Sequence, residues 1–303
     1  MLSFSKIVKE ELIKRKIVHD HNLIYEFQAM TDLLGGIEIL DKQDLITFTT
    51  SDFSLMNYYI KLSKLLFMVT LDSIKIDQSF IKPYKYYTVL IHNSSNIIDK
   101  ISFYQPKGIN FVNSLDMKQR ISYIRGAFLS CGCITNPHSK NYHLEIKSSS
   151  LETILTIQAL LNSFDLNARV TQMKKRYVVY IKSVKNISGL LSIIEATKSY
   201  LELENIISQK NLTKTIHAKM NLEIANEKRC LIKTQEIISC IRYIENNNII
   251  LPDDLLVLSQ LRLEYDDMSL SELCLKYKEI YGQEINKSTL YRKFEKIKSL
   301  ATN

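Results

Sequence analysis

Ser122-Tyr-Ile-Arg-Gly-Ala-Phe-Leu-Ser-Cys-Gly-Cys-Ile134 is the stretch that decides the fold, because it combines small and apolar side chains in one short segment. The small residues are Gly126, Ala127, Ser130 and Gly132. Side chains of this size let two helices approach closely, and a glycine commonly ends a helix. We therefore predict a helix that packs against another helix and ends at Gly132.

The chain repeats this pattern at an offset of 97 residues. Gly35 and Gly132 both end a predicted helix, and a strand-like stretch follows each glycine directly. At the same offset, residues 45–51 align with residues 142–148, and both segments alternate in the period-two manner of a half-buried strand. The sequence therefore indicates one supersecondary unit that occurs twice.

Further helix and strand patterns complete both copies of the unit in the same order. We predict an amphipathic helix in each copy, from Asp52 to about Phe67 and from Ser149 or Ser150 to about Phe164. Two more strands are predicted in each copy, at 73–78 and 85–92 and at 167–173 and 176–183. The shared offset across successive elements argues against a chance similarity between two common patterns.

The resulting prediction is a pseudo-symmetric α+β domain of two αββαββα units that face each other across their first helices. It covers about 22–197, with halves of about 22–118 and 119–197, and follows an N-terminal helix within 1–21. Residues 198–250 contain no glycine or proline and carry apolar residues at helical spacing, which indicates connecting helices.

Residues 251–303 are predicted to form an all-α helix-turn-helix domain. Pro252 and two acids open its first helix, and Ser269-Leu-Ser-Glu272 is a capping box that opens the second. A glycine-containing turn follows at 281–284, and Asn286 or Ser288 caps a third helix. Three short helices with such a turn before the last are typical of this motif.

The charge distribution points to a polyanionic partner. The chain of 303 residues has a formal net charge of +8. Residues 201–303 hold 15 basic and 15 acidic residues, whereas residues 1–200 hold 25 basic and 17 acidic residues. A basic excess confined to one part of a chain favours a partner such as double-stranded DNA for that part.

Composition also argues against a membrane protein and against a metalloprotein. No apolar run approaches the roughly 18 residues that span a membrane, and acids stand where a signal peptide needs its apolar core. We therefore expect a cytoplasmic protein. The close pair Cys131 and Cys133 lacks the spaced second pair of a zinc site, so we expect neither a metal nor a cofactor.

The third helix of the C-terminal domain is the first candidate DNA-binding element. Its candidate contact residues are Lys287, Ser288, Thr289, Arg292, Lys293 and Lys296. A recognition helix presents its first turns to the bases and its later cations to phosphates. The alternative is a small helical bundle that binds protein. Leu290, Phe294 and Ile297 of the third helix are expected in the core rather than at a contact surface.

A basic hairpin in the second half of the α+β domain is the other candidate. Residues 167–186 hold six basic residues and no acid, and a turn is predicted near Lys174, Lys175 and Arg176. A groove of DNA would suit these cations. The first half has a weaker counterpart at 82–87. The alternative is a solvated hairpin whose lysines protect a sheet edge.

The glycine-ended helix resembles the signature helix of the LAGLIDADG homing endonucleases. In those enzymes an acidic residue just before the final glycine holds a divalent metal. The corresponding positions here are Leu34 and Cys131, and neither residue is a hard oxygen ligand. The resemblance therefore implies the nuclease fold without its catalytic residues. A residual Mg²⁺-dependent nuclease using Asp32 or Glu38 is the enzyme alternative.

The segment 122–146 resembles the centre of the WhiA family, bacterial proteins with a degenerate LAGLIDADG domain followed by a helix-turn-helix. Ser3-Phe-Ser5 with Lys9-Glu-Glu-Leu12 is similar to the family's N-terminus, and Ile285-Asn-Lys-Ser288 to the entry of its recognition helix. The resemblance implies a nucleoid-associated transcriptional regulator linked to cell division, chromosome segregation and, in spore-forming relatives, sporulation. Other regulatory proteins are further candidate partners. In a third interpretation, the α+β domain is a docking or ligand-sensing module and only the C-terminal domain binds DNA.

Overall fold

A computed structural model of the chain describes residues 3–15, 20–40, 43–81, 84–92, 94–105 and 107–302. The chain divides into two compact units, residues 1–209 and 210–303. Within the described ranges, no helix combines the length and apolar character that a bilayer crossing requires.

The first unit contains two copies of the predicted helix-and-strand order. After α1 (Phe4–Lys14), the first copy comprises α2 (Leu23–Leu34), β1 (Gly35–Leu40), β2 (Gln43–Thr50), α3 (Phe53–Phe67), β3 (Ile74–Ile81), β4 (Tyr84–Ile91), α4 (Ser95–Lys100) and α5 (Ile109–Ser114). The second comprises α6 (Met117–Cys131), β5 (Gly132–Ile134), β6 (Leu144–Ser148), α7 (Leu151–Asn162), β7 (Arg169–Met173), β8 (Arg176–Ile181) and α8 (Val184–Ile193). Their strands form two antiparallel sheets of the same topology, β1-β2-β4-β3 and β5-β6-β8-β7. The predicted pseudo-symmetric α+β fold is confirmed.

The two copies meet along α2 and α6, as the small residues of the deciding stretch predict. A Cβ atom added to Gly126 of α6 would stand only 2.2 Å from the carbonyl oxygen of Glu26 in α2. Since this spacing leaves no room for a side chain, glycine at this position sets how closely the two helices approach.

The glycines that end the two helices adopt an extended backbone, with φ of −99° at Gly35 and −70° at Gly132. Neither residue therefore needs to be glycine in order to adopt a left-handed backbone conformation. A Cβ atom would lie 2.5 Å from the carbonyl oxygen of Thr31 at the first position and of Phe128 at the second. Because glycine has no side chain, the strand can begin directly after the helix while its first residue lies close to the last helical turn.

The predicted offset of 97 residues is wrong from the second strand of each copy onward. Gly35 is paired with Phe48 in the first sheet, and Gly132 is paired with Ile146 in the second. The two glycines are 97 positions apart, but their partners Phe48 and Ile146 are 98 positions apart. Phe48 and Ile146 are both fully buried. A shift of one residue exchanges the two faces of a strand, and the buried face therefore fixes the correct alignment.

The N-terminal helix belongs to the core of the first unit. Phe4, Val8 and Leu12 of α1 are buried in the same apolar cluster as α2 and α6. Glu11 accepts hydrogen bonds from the backbone N–H groups of Lys198 (2.7 Å) and Ser199 (3.0 Å). Of the predicted segment 1–21, residues 1–2 and 16–19 lie outside the described residues.

A single helix of 50 residues, α9 (Thr197–Asn246), replaces the several connecting helices that we predict for residues 198–250. Neither glycine nor proline interrupts this stretch, so nothing local forces the helix to end. The boundary between the two compact units falls within α9. The predicted boundaries near 197 and 250 stay predictions.

The second unit contains the predicted three helices, α10 (Asp253–Glu264), α11 (Leu270–Tyr281) and α12 (Lys287–Thr302). Their buried apolar residues pack with the last turns of α9 around Leu290, Phe294 and Ile297, as predicted for the core. Ser269 and Glu272 form the predicted capping box. Asn286, rather than Ser288, caps α12, because its Oδ1 accepts from the N–H of Thr289 at 2.8 Å.

Candidate nucleic-acid interface

The two positions that would carry the catalytic acids of a LAGLIDADG nuclease lie at the ends of the paired helices. Leu34 is the last residue of α2, and Cys131 is the last residue of α6. Burial raises the pKa of the Cys131 thiol, and the nearby cations Lys9 and Arg176 only partly oppose this effect. A neutral thiol and a hydrocarbon side chain provide no ligands for Mg²⁺.

The nearby acid Asp32 is already engaged inside the protein. Its carboxylate forms an ion pair with the Lys107 ammonium and accepts a hydrogen bond from the Tyr123 hydroxyl at 2.8 Å. Burial raises the pKa of Asp32 even though Lys107 acts in the opposite direction. Glu38, by contrast, is exposed on β1. Across the described residues, no group of three or more His, Cys, Asp or Glu side chains could hold a metal ion.

The second sheet presents a basic face to the outside of the domain. Ile146 and Val179 pair with each other and are fully buried, so the residues that alternate with them face the other way. This outward face carries Lys147, Arg169, Arg176, Tyr180 and Lys182 together with one acid, Glu145. We call these residues the basic sheet face. Lys182 joins it because its Nζ lies 5.3 Å from the centre of the Tyr180 ring.

The predicted hairpin turn lies at the edge of the basic sheet face. Met173 pairs with Arg176, which leaves Lys174 and Lys175 as the two turn residues. All three basic residues are exposed. None of them takes part in an ion pair with any residue that the structure describes. Their charges therefore remain available to a polyanion.

The first sheet lacks a comparable surface in its described part. Its outward face carries hydroxyl side chains, among them the hydrogen-bonded pair Thr49 and Thr88 at 3.0 Å. Lys75 on this sheet is paired with Asp77 at 3.4 Å. Of the weaker basic counterpart predicted at 82–87, Lys82 and Pro83 lie outside the described residues. The described cations thus favour the second half of the domain.

Helix α12 exposes several of its candidate DNA-binding residues along one side. Lys287, Ser288, Arg292 and Lys296 are exposed, and Thr289 is half-buried. Successive spacings of four residues place Ser288, Arg292 and Lys296 above one another on the helix surface. We call these three residues the α12 contact row.

Lys293 differs from the α12 contact row because it is engaged within the domain. Its Nζ lies 3.0 Å from Asp254 Oδ2, and this hydrogen bond lowers the pKa of the Asp254 carboxyl. Lys298 is similarly paired with Glu236 at 2.8 Å. The structure therefore divides the cations of α12 into paired and unpaired ones.

The sequence pattern predicts β6 as a strand but does not show which of its residues face outward, so Lys147 is not among the predicted contact residues. The alternation of Leu144, Ile146 and Ser148 as buried residues places Lys147 on the outward side. The same rule, applied to β8 once its buried Val179 is known, also places Tyr180 there. The information that the sequence alone does not give is which alternating set of residues in each strand faces the core.

Comparisons with known proteins agree with this architecture. Residues 120–213 match the WhiA LAGLIDADG-like domain, and residues 216–301 match the WhiA C-terminal HTH domain. The probable cell division protein WhiA of Thermoanaerobacter sp. (strain X514) is 31% identical over 286 residues, covering 90% of both chains. The chain belongs to the WhiA family. Both predicted parts of the family resemblance are confirmed.

Other WhiA proteins match nearly the whole chain. The probable cell division protein WhiA of Latilactobacillus sakei subsp. sakei (strain 23K) is 28% identical over 311 residues, covering 99% of this chain and 98% of the relative. The crystal structure of full-length DUF199/WhiA from Thermotoga maritima has a TM-score of 0.63 at 25% identity, covering 99% of this chain and 98% of that one. The helix-turn-helix unit that the WhiA match delimits contains α12 and its contact row.

Proposed function

We propose that this WhiA-family protein binds double-stranded DNA selectively and regulates transcription without cutting DNA. The α12 contact row carries the proposal, because it combines a hydroxyl group with two exposed cations that form no ion pair with any described residue. Arg292 can donate to base edges or phosphates from the first turns of that helix, and Lys296 can contact a phosphate one turn later.

The basic sheet face supports a second contact with DNA. Its cations lie on a regular antiparallel sheet, and the exposed turn residues Lys174 and Lys175 extend them at the edge. Such a surface neutralises phosphates without reading the sequence. We propose that it adds affinity, while α12 supplies the sequence preference.

The absence of cutting is supported by the residues at the ends of α2 and α6. Leu34 and Cys131 cannot position a divalent ion, and the carboxylate of Asp32 is held by Lys107 and Tyr123. Cleavage of a phosphodiester needs a metal or a base that activates water. The described residues at these helix ends supply neither.

The biological role that we propose follows the cell division role for which the relatives are named. WhiA proteins of Thermoanaerobacter sp. and Latilactobacillus sakei are named probable cell division proteins. We extend this role to the present chain as regulation of genes for cell division, chromosome segregation and, in a spore-forming host, sporulation. Its place would then be the cytoplasm, on the nucleoid.

A salt titration of full-length protein with fragmented DNA from its own genome tests the proposal. Mg²⁺ is present throughout, and the recovered DNA is examined for cuts. We expect retention of a subset of fragments, affinity that falls with rising salt, and intact DNA. Cut DNA would revive the nuclease interpretation, and no retention at low salt would refute DNA binding.

Two variants on the same helix sharpen this test. Arg292→Ala removes an unpaired cation, whereas Lys298→Ala removes a cation paired with Glu236. We expect the first to weaken binding to a retained fragment by about 1–3 kcal/mol and to relax its selectivity. Lys298→Ala should change affinity much less, and equal effects would count against the α12 contact row.

A further inference from the structure

Strand β3 ends the first sheet with an edge that no described strand covers. The sheet order β1-β2-β4-β3 places β3 last, and all eight of its residues pair with β4 on the other side. This pairing is continuous from Ile74 to Ile81 and contains no bulge. The strand also contains neither proline nor glycine. Its outer N–H and C=O groups can therefore pair with another strand.

The core side of β3 is apolar but extends beyond the core of the domain. Ile76 pairs with the fully buried Val89 and therefore lies on the side of the sheet that faces the helices. Gln78 and Phe80 follow on the same side at two-residue spacing. Ile76 is nevertheless 43% exposed and Phe80 is 64% exposed. Phe80 pairs with the exposed Lys85, so the neighbour of its ring across the strands is a cation rather than a core residue.

The charges of β3 do not protect this edge. Sheet edges are usually protected by proline, by a bulge or by a charge that points toward the core side. The two charges of β3, Lys75 and Asp77, lie on the outward side and pair with each other at 3.4 Å. The strand is therefore neutral, and a second copy of it meets no net charge repulsion.

Strand β3 is complementary to itself in an antiparallel arrangement. If two copies pair with Gln78 opposite Gln78, Ile76 of each copy lies opposite Phe80 of the other. Phe80 then continues the row of core residues in the second copy, beyond Ile76, instead of facing water. On the outward side Asp77 lies opposite Ser79, so no like charges oppose each other directly.

The neighbouring symmetric registers are less favourable. A register centred on Asp77 places the two Asp77 carboxylates directly opposite each other, which is destabilising. A register centred on Ile76 places Phe80 opposite Asp72, which precedes the strand. Of these three registers, the one centred on Gln78 alone pairs the exposed apolar residues with each other.

We infer that the free edge of β3 pairs with β3 of a second copy of this chain, around a two-fold axis at Gln78. The two four-stranded sheets then form one continuous antiparallel sheet. Most homo-oligomers are closed two-fold dimers, and their interfaces are self-complementary in this way. The inference does not depend on DNA binding, because the pairing uses neither the basic sheet face nor the α12 contact row.

Sedimentation of full-length, nucleic-acid-free protein over a range of concentrations tests the dimer. We expect the mass to rise from monomer to dimer with concentration. Phe80→Asp should raise the dimer dissociation constant at least about a hundredfold, because the symmetric change removes two apolar contacts at once. Ile39→Asp is the matched control, since Ile39 is 73% exposed on β1 at the opposite edge of the same sheet. A protein that stays monomeric at its highest soluble concentration would overturn the inference, as would equal effects of the two variants.

Cysteine cross-linking tests the register without relying on Phe80→Asp. Directly opposed residues of antiparallel strands have Cβ atoms about 4.5–5.5 Å apart, which a small adjustment brings within disulfide range. Gln78→Cys should therefore form a covalent dimer on oxidation with copper–phenanthroline in air. Ser79→Cys is the control, because Ser79 is also exposed but lies opposite Asp77 rather than itself. The wild-type protein gives the background from its own cysteines. Equal cross-linking of both variants, or no cross-linking of Gln78→Cys in a protein that sediments as a dimer, would overturn the pairing.

Discussion

Gly126 of α6 lies against the backbone of Glu26 in α2, where a single methyl group would come within 2.2 Å of the Glu26 carbonyl oxygen. The side chain of Glu26 is fully buried at the same place. It accepts hydrogen bonds from Arg15 (2.8 Å), Tyr58 (2.7 Å) and Arg125 (3.3 Å). Close helix packing and a buried charge network therefore depend on one another at the interface between the two halves.

Gly126→Ala should open this interface and destabilise the protein. Overpacking of this kind costs about 1–3 kcal/mol, and the gain in helix propensity from alanine, about 1 kcal/mol, offsets only part of it. The free energy of unfolding, measured with urea, checks the prediction. Gly189→Ala in α8 is the control, because its added methyl group would make ordinary contact with Leu166 at 3.4 Å. Equal stability of the two variants would show that the helices can move apart freely.

Glu11→Ala should loosen the start of the long helix α9. Glu11 accepts from the N–H groups of Lys198 and Ser199 and from the Ser199 hydroxyl at 2.6 Å, so its carboxylate acts as the cap of that helix. Loss of a cap costs about 0.5–2 kcal/mol. Glu10→Ala is the matched control, since Glu10 forms an ion pair with the exposed Lys14 at 3.4 Å on the same helix. The measurement is the Tm of both variants. A Glu11→Ala protein with the same Tm as Glu10→Ala would contradict the capping role.

The elements of this fold could be predicted from sequence because their signals are local. The glycine-ended helices, the Ser or Asp caps of α3 and α7, and the capping box of α11 each depend on a few neighbouring residues. Which face of the second strand is buried in each copy could not be predicted in this way. Phe48 corresponds to Ile146 because both side chains are buried in the core, and this burial depends on tertiary packing.

The candidate DNA-binding residues were predictable as residue types but not as contacts. Sequence reasoning groups Arg292 and Lys293 together, whereas the structure pairs Lys293 with Asp254 from another helix and gives Arg292 no ion pair within the described part of the chain. The docking of α1 along β5, through the Ser5 hydroxyl and the backbone of Ile134, is likewise encoded by no local pattern.

Asp32→Asn should destabilise the protein, and neither the variant nor the wild-type protein should nick DNA. The change removes the charge that balances the buried Lys107 ammonium, and an unpaired buried charge costs about 3–5 kcal/mol. Asp32→Leu combined with Lys107→Met removes both charges and should recover part of the lost stability. Urea unfolding and a Mg²⁺ nicking assay are the measurements. Nicking by wild-type protein that Asp32→Asn abolishes would instead identify Asp32 as a catalytic acid.

Substitution of the hairpin turn tests whether the first unit contacts DNA. Replacing Lys174, Lys175 and Arg176 by alanine removes three exposed charges without changing the buried face of β8. If each contacts a phosphate, the slope of log affinity against log salt becomes shallower by up to roughly 2.7, with α12 unaltered. Lys61→Ala on α3, a helix that packs against the opposite face of its sheet, is the control for a general loss of charge. A triple variant with the wild-type slope would mean that α12 alone binds DNA. The exposed cations of the hairpin turn would then have to serve a different acidic partner, and the α+β domain would be a docking module.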